Sequence, residues 1–434
     1  MTRNDSTRHH PVGASLIAVA ALSLALAVTG AGGACAGPSG RGGPSTGGAG
    51  GGGPTGIGGQ PGTGGRSASG GAGPLGGASA LAGRSGGGGL ASGGGPVGGA
   101  QGTAGGGGWN NTGGAAGGSG RGTLDIYFID VEGGAATLLV SPSGQTLLVD
   151  GGFPGSNDRD LNRILAVLNE QVRVTKLDYV ITTHYHIDHV GGVAALASRF
   201  PVDQFLDHGP SVEMGRDYDD YLAAIAGKTR VIVRPGDRVP FGDVELVIVS
   251  SAGALIDPLP TAVANPHCEG APLMAERPSD ENAQSVGFIA RFGTFDFVDL
   301  GDLTWAVEDR LACPTNRLGT VDLFQVSHHG LNQSSAPQLV HGLAPAVALM
   351  NNGASKGGSA STWDTLKSSP GLEDIWSLHR VTANDAAHNA IDALTANVTS
   401  SPDGAYLVRA SVARDGSYTL VNSRTGEART YRAR

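Results

Sequence analysis

The apolar positions of the chain after residue 122 follow the periods of strands and helices in turn. Three short β-rich runs separated by glycine-containing turns predict a meander of antiparallel strands, at residues 124–130, 136–140 and 146–150. Apolar residues at helical spacing between positions 161 and 172 predict a helix, and residues 177–183 predict a buried strand behind it. The predicted order in this half of the folded part is β-β-β-α-β.

A second group of strand patterns follows, again with helical stretches behind the strands. The β-rich runs that predict these strands lie at residues 230–233, 244–249, 286–292, 295–300 and 321–326. Two groups of strands with interleaved helices favour an α/β fold, a four-layer αββα sandwich in which helices cover both outer faces of two packed sheets. The C-terminal part, with Trp363 and Trp376 on a predicted helical stretch, carries no chemical motif.

The first 36 residues have the pattern of an export signal. A basic start is followed by an apolar run at residues 14–28 and then by small residues up to Ala36. This run is shorter than the ~20 apolar residues of a membrane-spanning helix. Cleavage after Ala36 and attachment of lipid to Cys35 both fit the pattern. Both predict an exported protein, either secreted or held in the cell envelope, that touches a membrane only through an N-terminal lipid.

Residues 37–121 are predicted to be a disordered Gly-rich linker. Residues 31–120 contain 43 of the 74 glycines of the chain, and Ser, Thr, Ala and Pro make up most of the rest. Such a stretch cannot bury enough apolar surface to offset its conformational entropy. The folded domain is therefore predicted to be residues 122–434, including a C-terminal elaboration.

The densest group of metal-binding side chains is the run His184-Tyr185-His186-Ile187-Asp188-His189. Its three imidazoles and one carboxylate are nitrogen and oxygen ligands that zinc and similar divalent ions take. Because the run lies between a predicted strand and a predicted helix, these side chains would come from rigid elements. The run predicts parts of two metal sites, and the alternative is a chance cluster of surface histidines.

Three further motifs follow predicted strands. They are Leu148-Val149-Asp150-Gly151-Gly152, Gly301-Asp302 and Ser327-His328-His329-Gly330. Together with the histidine-rich run, they resemble in order and spacing the metallo-β-lactamase superfamily of binuclear metallohydrolases. The resemblance covers residues 124 to about 345 and implies the metallo-β-lactamase fold.

Other segments are most similar to one branch of that superfamily, the metallohydrolase domain of ComEC-type competence proteins. These segments are Ile129-Asp130-Val131 and Glu281-Asn282-Ala283-Gln284-Ser285, together with the His-His-Gly ending. The ComEC-type pattern also has an acidic residue a few positions after Asp130, where this chain has Ala135. That departure weakens any transfer of the branch's substrate.

The resemblance implies two divalent metal ions as cofactors, most naturally Zn²⁺, with Mn²⁺ or Fe²⁺ as alternatives because mixed imidazole and carboxylate sites select weakly among them. The implied ligands are His184 and His186 for one ion, Asp188, His189 and His328 for the other, and Asp302 as a bridge between them. The resemblance also places Asp150 behind the metal-binding histidines, where its carboxylate would fix an imidazole tautomer. A turn or helix-cap carboxylate is the alternative for Asp150.

One histidine of the superfamily pattern is missing. Most members have a further histidine after a strand between the two halves, where this chain has Ser250-Ser251. His208 follows a predicted strand end and is a candidate metal ligand in its place. A hydrogen bond to Asp207, or a place at the mouth of the pocket, is the alternative role.

The adjacent histidines of the third motif compete for one position. Successive side chains at a strand end face opposite ways, so only one of the two rings is predicted to face the metals. The assignment favoured here is His328 as the ligand and His329 as a pocket residue that donates to the substrate. The reverse assignment is the alternative.

The charge of the folded part bears on the substrate. Removing the six arginines and one aspartate of residues 1–121 leaves 23 basic and 37 acidic side chains, a net charge of −14. Such a field repels polyanions, so nucleic acid is disfavoured and a small or surface-bound phosphoester is predicted. Hydrolysis of a carboxylic ester, lactone or amide is one alternative, and a non-catalytic surface-tethered binding module is another.

The predicted chemistry uses water. A hydroxide held between the two metal ions would attack phosphorus or carbon, and Asp188 or Asp302 would take the released proton. In an exported protein Cys268 and Cys313 are a candidate disulfide, with two separate thiols as the alternative.

Overall fold

The structure, a computed structural model, describes residues 122–275, 277, 279–399 and 405–434. The predicted export signal and the predicted Gly-rich linker lie outside the described residues. Within the described ranges, none of the helices has both the length and the apolar character needed to cross a membrane.

The strands are numbered here in chain order. They are β1 (Thr123–Phe128), β2 (Thr137–Val140), β3 (Thr146–Val149), β4 (Leu177–Ile181), β5 (Val202–Asp207), β6 (Arg230–Ile232), β7 (Arg238–Phe241), β8 (Val244–Ser251), β9 (Ala254–Leu255), β10 (Val263–Ala264), β11 (Gly287–Phe292), β12 (Phe295–Asp299), β13 (Thr315–Asn316), β14 (Leu323–Gln325), β15 (Val347–Met350), β16 (Asp374–His379), β17 (Thr395–Asn397), β18 (Val408–Ala413), β19 (Ser417–Asn422) and β20 (Ala428–Arg432).

The α-helices are short and lie between the strands. They are α1 (Arg159–Ala166), α2 (Ile187–Val190), α3 (Val193–Arg199), α4 (Arg216–Ala224), α5 (Trp305–Ala312), α6 (Pro337–Leu343) and α7 (Ala360–Lys367). A π-helical segment, Val167–Val172, continues α1. Single 3-10 turns lie at Ser156–Asp158, Pro266–Cys268, Glu281–Gln284, Ser327–Gly330, Ala386–His388 and Asp392–Leu394.

Two large sheets form the framework. The first has the order β20-β19-β18-β1-β2-β3-β4-β5-β6, and the second has the order β17-β16-β15-β14-β12-β11-β8-β7, with β9 paired to β8. Strands β1 to β3 are antiparallel, as the meander pattern predicts. From β3 to β6 the pairing is parallel, because helical crossovers connect these strands. Strands β10 and β13 form a separate two-stranded sheet.

The hydrophobic core has two parts. Between the sheets, Phe128 of β1 meets Phe297 of β12 with their ring centroids 6.0 Å apart. On the other face of the first sheet, a second cluster includes Ile164 of α1, Leu196 of α3 and Tyr221 of α4. Helices α5, α6 and α7 pack their buried side chains with the second sheet. Sheets inside and helices outside confirm the predicted mixed α/β, sheet-rich fold.

The C-terminal part differs from its prediction. Trp363 lies on α7, but Trp376 lies on strand β16, where its indole donates to the Tyr431 hydroxyl at 3.0 Å. Strands β18 to β20 return to the first sheet, where β18 pairs with β1. Buried and less buried positions alternate along β18 and β19, and this period of two is the signal that could have predicted them.

Cys268 and Cys313 form a disulfide, which confirms the candidate pairing. The bond joins the 3-10 turn Pro266–Cys268 to the residue that follows α5.

Candidate metal centre

The predicted metal-binding residues lie where strands of both sheets end. The histidine-rich run begins three residues after β4, and α2 starts at Ile187 within it. Asp302 follows β12, and the two adjacent histidines follow β14. Gly301 has φ 56°, and a Cβ there would lie 3.0 Å from the Cβ of Thr183, so glycine allows the two strand ends to approach each other.

Asp302 lies at the centre of this group. Its side chain is buried, and its Oδ2 lies near ring nitrogens contributed by separate segments of the chain. The Nε2 atoms around Asp302 Oδ2 are those of His184 at 3.9 Å, His189 at 3.2 Å, His328 at 3.4 Å and His329 at 3.5 Å. A carboxylate in this position could bridge two metal ions, one on each side of it.

The second carboxylate of the group is Asp188. Its Oδ2 lies 3.3 Å from His189 Nε2 and 3.1 Å from His329 Nε2. Donor atoms of Asp188, His189, Asp302 and His329 all lie within 4.8 Å of one another, so these four residues could hold one ion. Next to them, His184 Nε2 and His186 Nδ1 lie 3.1 Å apart and offer two further donors.

Each imidazole of the centre uses one ring nitrogen for a partner outside it. The partners are Thr183 Oγ1 for His184 at 3.1 Å, Glu213 for His186 at 3.3 Å, Asp150 for His189 at 2.7 Å, Ser334 Oγ for His328 at 3.2 Å and the Asn351 carbonyl for His329 at 3.2 Å. The other ring nitrogen of each histidine therefore faces the centre. Metal-binding histidines in proteins are oriented in this way, so the donor set fits divalent cations.

Asp150 has the geometry that the resemblance implies. Its Oδ2 accepts hydrogen bonds from His189 Nδ1 at 2.7 Å and from the Thr183 hydroxyl at 2.7 Å, and its Oδ1 accepts from the Thr183 amide at 2.8 Å. Both Asp150 and His189 are almost completely buried. The carboxylate thus fixes the His189 ring with Nε2 toward the centre.

The charges in the centre depend on one another. Burial raises the pKa of Asp302, but the imidazoles, chiefly those of His189 and His329, outweigh burial and hold that pKa well below its usual value. Burial lowers the pKa of His189, but the carboxylates of Asp302 and Asp188 outweigh it and hold that pKa well above its usual value. The buried carboxylates therefore require positive charge beside them, which divalent cations also supply.

The backbone at the adjacent histidines differs from the strand end on which their prediction was based. Strand β14 ends at Gln325, and His328 and His329 lie in the 3-10 turn Ser327–Gly330 with φ of 54° and 53°. In this left-handed backbone the alternation of a strand no longer applies, and both rings approach Asp302. His329 is the more deeply buried and also approaches Asp188.

His208 lies apart from the group around Asp302. Its Nε2 donates to Glu281 Oε1 at 2.8 Å, and its ring contacts Tyr185 with centroids 4.6 Å apart. Among the described residues, the Asp207 carboxylate accepts from Arg230 and Tyr221 and not from His208. A role for His208 as a metal ligand stays a prediction that this placement does not support.

Sequence reasoning missed two charged residues at the centre. The Lys356 ammonium pairs with Asp188, and Glu213 holds His186. Both come from loops without a recognisable motif. The glycines on either side of Lys356, at 353 and at 357–358, are the signal that its loop packs closely against other backbone.

A second group of metal-binding side chains lies elsewhere. Asp130, Glu132 and His379 also have donor atoms within 4.8 Å of one another. Here, however, the buried guanidinium of Arg163 donates to Asp130 at 2.9 Å and to Glu132 at 3.1 Å. His379 Nε2 donates to Asp130 at 2.7 Å. The carboxylates of Asp130 and Glu132 are therefore already neutralised by Arg163, without a metal ion.

Comparison with known proteins finds a family similarity for the part of the chain that carries the histidine-rich run. Residues 129–265 match the family described as the metallo-beta-lactamase superfamily. Within these residues the chain is therefore similar to that superfamily, whose members are mostly hydrolases.

Individual proteins are similar to parts of the chain. Exodeoxyribonuclease WalJ of Streptococcus pneumoniae (strain D39) is 29% identical over 110 residues, which cover 25% of this chain and 38% of the relative. Ribonuclease Z of Methanopyrus kandleri is 32% identical over 119 residues, 26% of this chain and 38% of the relative. The chain thus spans well under half of the length of these relatives. The metallo-beta-lactamase fold protein YhfI of Bacillus subtilis matches 58% of this chain and 95% of its own at 14% identity, with a TM-score of 0.39.

Proposed function

We propose that this chain is an exported, metal-dependent hydrolase that acts on a phosphoester and is related to the ComEC-type branch. One observation carries the proposal: four imidazoles, each with one nitrogen bonded outward, turn the other nitrogen toward the buried carboxylates of Asp302 and Asp188, and His186 turns its free nitrogen toward His184. A surface cluster of histidines would have no reason to share this orientation. Export rests on the signal pattern of residues 1–36.

The distances support an assignment of residues to two divalent ions, zinc first. His184 and His186 would serve one ion, Asp188 and His189 with His328 or His329 the other, and Asp302 both. Bound divalent cations would lower the pKa of water and polarise the ester.

The protein's own groups supply positioning and proton transfer. Asp150 fixes the His189 ring, and the Asn351 carbonyl fixes that of His329. Asp188 and Asp302 are the carboxylates at the centre that can accept the proton released on attack.

A phosphoester substrate agrees with two observations. Two of the relatives that match the chain are named as nucleases, whose substrates are phosphodiesters. The net charge of −14 in the folded part disfavours long polyanions, so the proposed substrate is small or bound to the cell surface.

A direct test uses the full chain, stripped of metal and then reloaded with zinc or manganese. The assay compares bis-p-nitrophenyl phosphate with p-nitrophenyl acetate, a simple lactone and nitrocefin. Metal-dependent turnover that favours the phosphodiester is expected. Turnover of the carbonyl substrates alone would instead support the ester, lactone or amide alternative. Bound metal without any turnover would support a non-catalytic binding module.

A further inference from the structure

Lys356 is a lysine whose ion pair ends on Asp188, a carboxylate of the metal centre that otherwise faces imidazoles. It comes from the loop between β15 and α7. Its ammonium pairs with Asp188 and lies 5.5 Å from the centroid of the Phe153 ring. The motifs that define the centre do not include this residue.

The loop that carries Lys356 is held firmly against the histidine turn. The Gly358 amide donates to the His329 carbonyl at 2.9 Å, and the Lys356 carbonyl accepts from the Gly353 amide at 2.9 Å. A Cβ on Gly357 would lie 2.2 Å from the same His329 carbonyl, so the two backbones are in direct contact. Lys356 is therefore fixed relative to the centre, as a binding group should be.

Lys356 is more exposed than Arg163, whose role is to neutralise carboxylates. The Arg163 side chain, which neutralises the second group of carboxylates, is 7% exposed and is enclosed by its partners. The Lys356 side chain is 33% exposed, so part of it is open to solvent beside the centre. When Asp188 binds a metal ion, part of its charge is taken up by that ion. The ammonium then has hydrogen-bonding capacity left for another anion.

We propose that Lys356 binds a negatively charged oxygen of the substrate beside the metal centre, so that the site selects esters with an anionic group next to the scissile bond. This inference rests on the proposed hydrolase function. The ammonium also lies over the Phe153 ring, a cation–π contact that helps to hold it beside the centre.

The test compares Lys356→Met, which removes the charge, with Lys356→Arg, which keeps it, in the zinc-loaded full chain. Lys228→Met, in an exposed loop, is the matched control. Lys356→Met should lower kcat/KM for the anionic bis-p-nitrophenyl phosphate about 10- to 150-fold, the range for losing a hydrogen bond to a charged group. It should change kcat/KM for the neutral p-nitrophenyl acetate less than about twofold. Lys356→Arg should keep most of the phosphodiester activity.

A second readout does not depend on turnover. Calorimetric binding of inorganic phosphate to the zinc-loaded protein should weaken about tenfold in Lys356→Met, with zinc content unchanged. Equal losses on both esters, loss of zinc, or unchanged phosphate affinity would each overturn the inference. If the unmodified protein hydrolyses neither ester, the proposed function fails, and phosphate binding alone still decides the role of Lys356.

Discussion

The group around Asp302 and the group around His379 both bring metal-binding side chains within reach of a single ion, but their charges are balanced differently. In the His379 group, a buried arginine donates to both carboxylates. In the Asp302 group, the carboxylates face the ring nitrogens of several imidazoles, and the lysine at its edge is partly exposed.

The comparison teaches that short distances between donor atoms do not by themselves indicate a metal site. His379 directs Nε2 at Asp130 and donates its proton there. His189 directs Nδ1 at Asp150, and this leaves Nε2 toward the centre. The outward hydrogen bond is what frees a ring nitrogen to bind metal.

The largest effect is expected for Asp302→Asn, which removes the charge shared by both proposed metal positions. Turnover of the phosphodiester should fall at least about a thousandfold, because several kcal/mol of transition-state stabilisation depend on the ions. The matched variant is His379→Gln in the other group, which should change turnover less than about threefold. Steady-state kinetics measure both, and similar losses in the two variants would erase the distinction between the groups.

Removal of Arg163 should convert the His379 group into a metal-binding site. Arg163→Met leaves two carboxylates without their cation and should destabilise the fold by about 3–5 kcal/mol, measured by denaturant unfolding. In a chain that also carries Asp302→Asn, zinc should raise the Tm of the Arg163→Met variant. Zinc should leave the Tm of the Asp302→Asn single variant unchanged. A Tm that does not respond to zinc would mean that the arginine is not what excludes metal.

The buried carboxylate of Asp150, which orients the His189 ring, should contribute to zinc affinity. Asp150→Asn removes the carboxylate that fixes the His189 ring, and zinc affinity should fall about 10- to 100-fold. Competition with a chromogenic chelator measures the affinity. An unchanged dissociation constant would place Asp150 in a purely structural role.

The exposed carboxylate of Glu213, which orients the His186 ring, should have the smallest effect on zinc binding. Glu213 is 45% exposed and lies 3.3 Å from His186 Nε2, so solvent screens this pair. Glu213→Gln should weaken zinc binding less than about fivefold in the same competition assay. A loss as large as that of Asp150→Asn would show that burial does not set the strength of these supports.

Much of the framework could be predicted from the sequence. The strands β1 to β4, β8, β11, β12 and β14 and the helix α1 lie where the periodicity places them. These elements are buried on at least one face, so their pattern is set by the core. Trp376 was assigned to a helix because a short apolar run does not distinguish a strand from a helix.

The centre could be predicted only in part, because motifs specify donors and not their directions. The 184–189 run and Asp302 were recognised from residue type and spacing. The joint approach of His328 and His329 depends on left-handed backbone that no periodic pattern signals. Lys356 and Glu213 reach the centre from loops positioned by tertiary contacts, for which the sequence alone carries no spacing rule.

The central claim is that buried imidazoles and carboxylates around Asp302 hold two divalent ions. The most direct measurement is elemental analysis of the full chain after zinc loading and exhaustive dialysis. Two zinc ions per chain are expected, and their loss is expected in Asp302→Asn. A chain that retains no zinc, or an Asp302→Asn variant that retains as much as the parent, would contradict this claim.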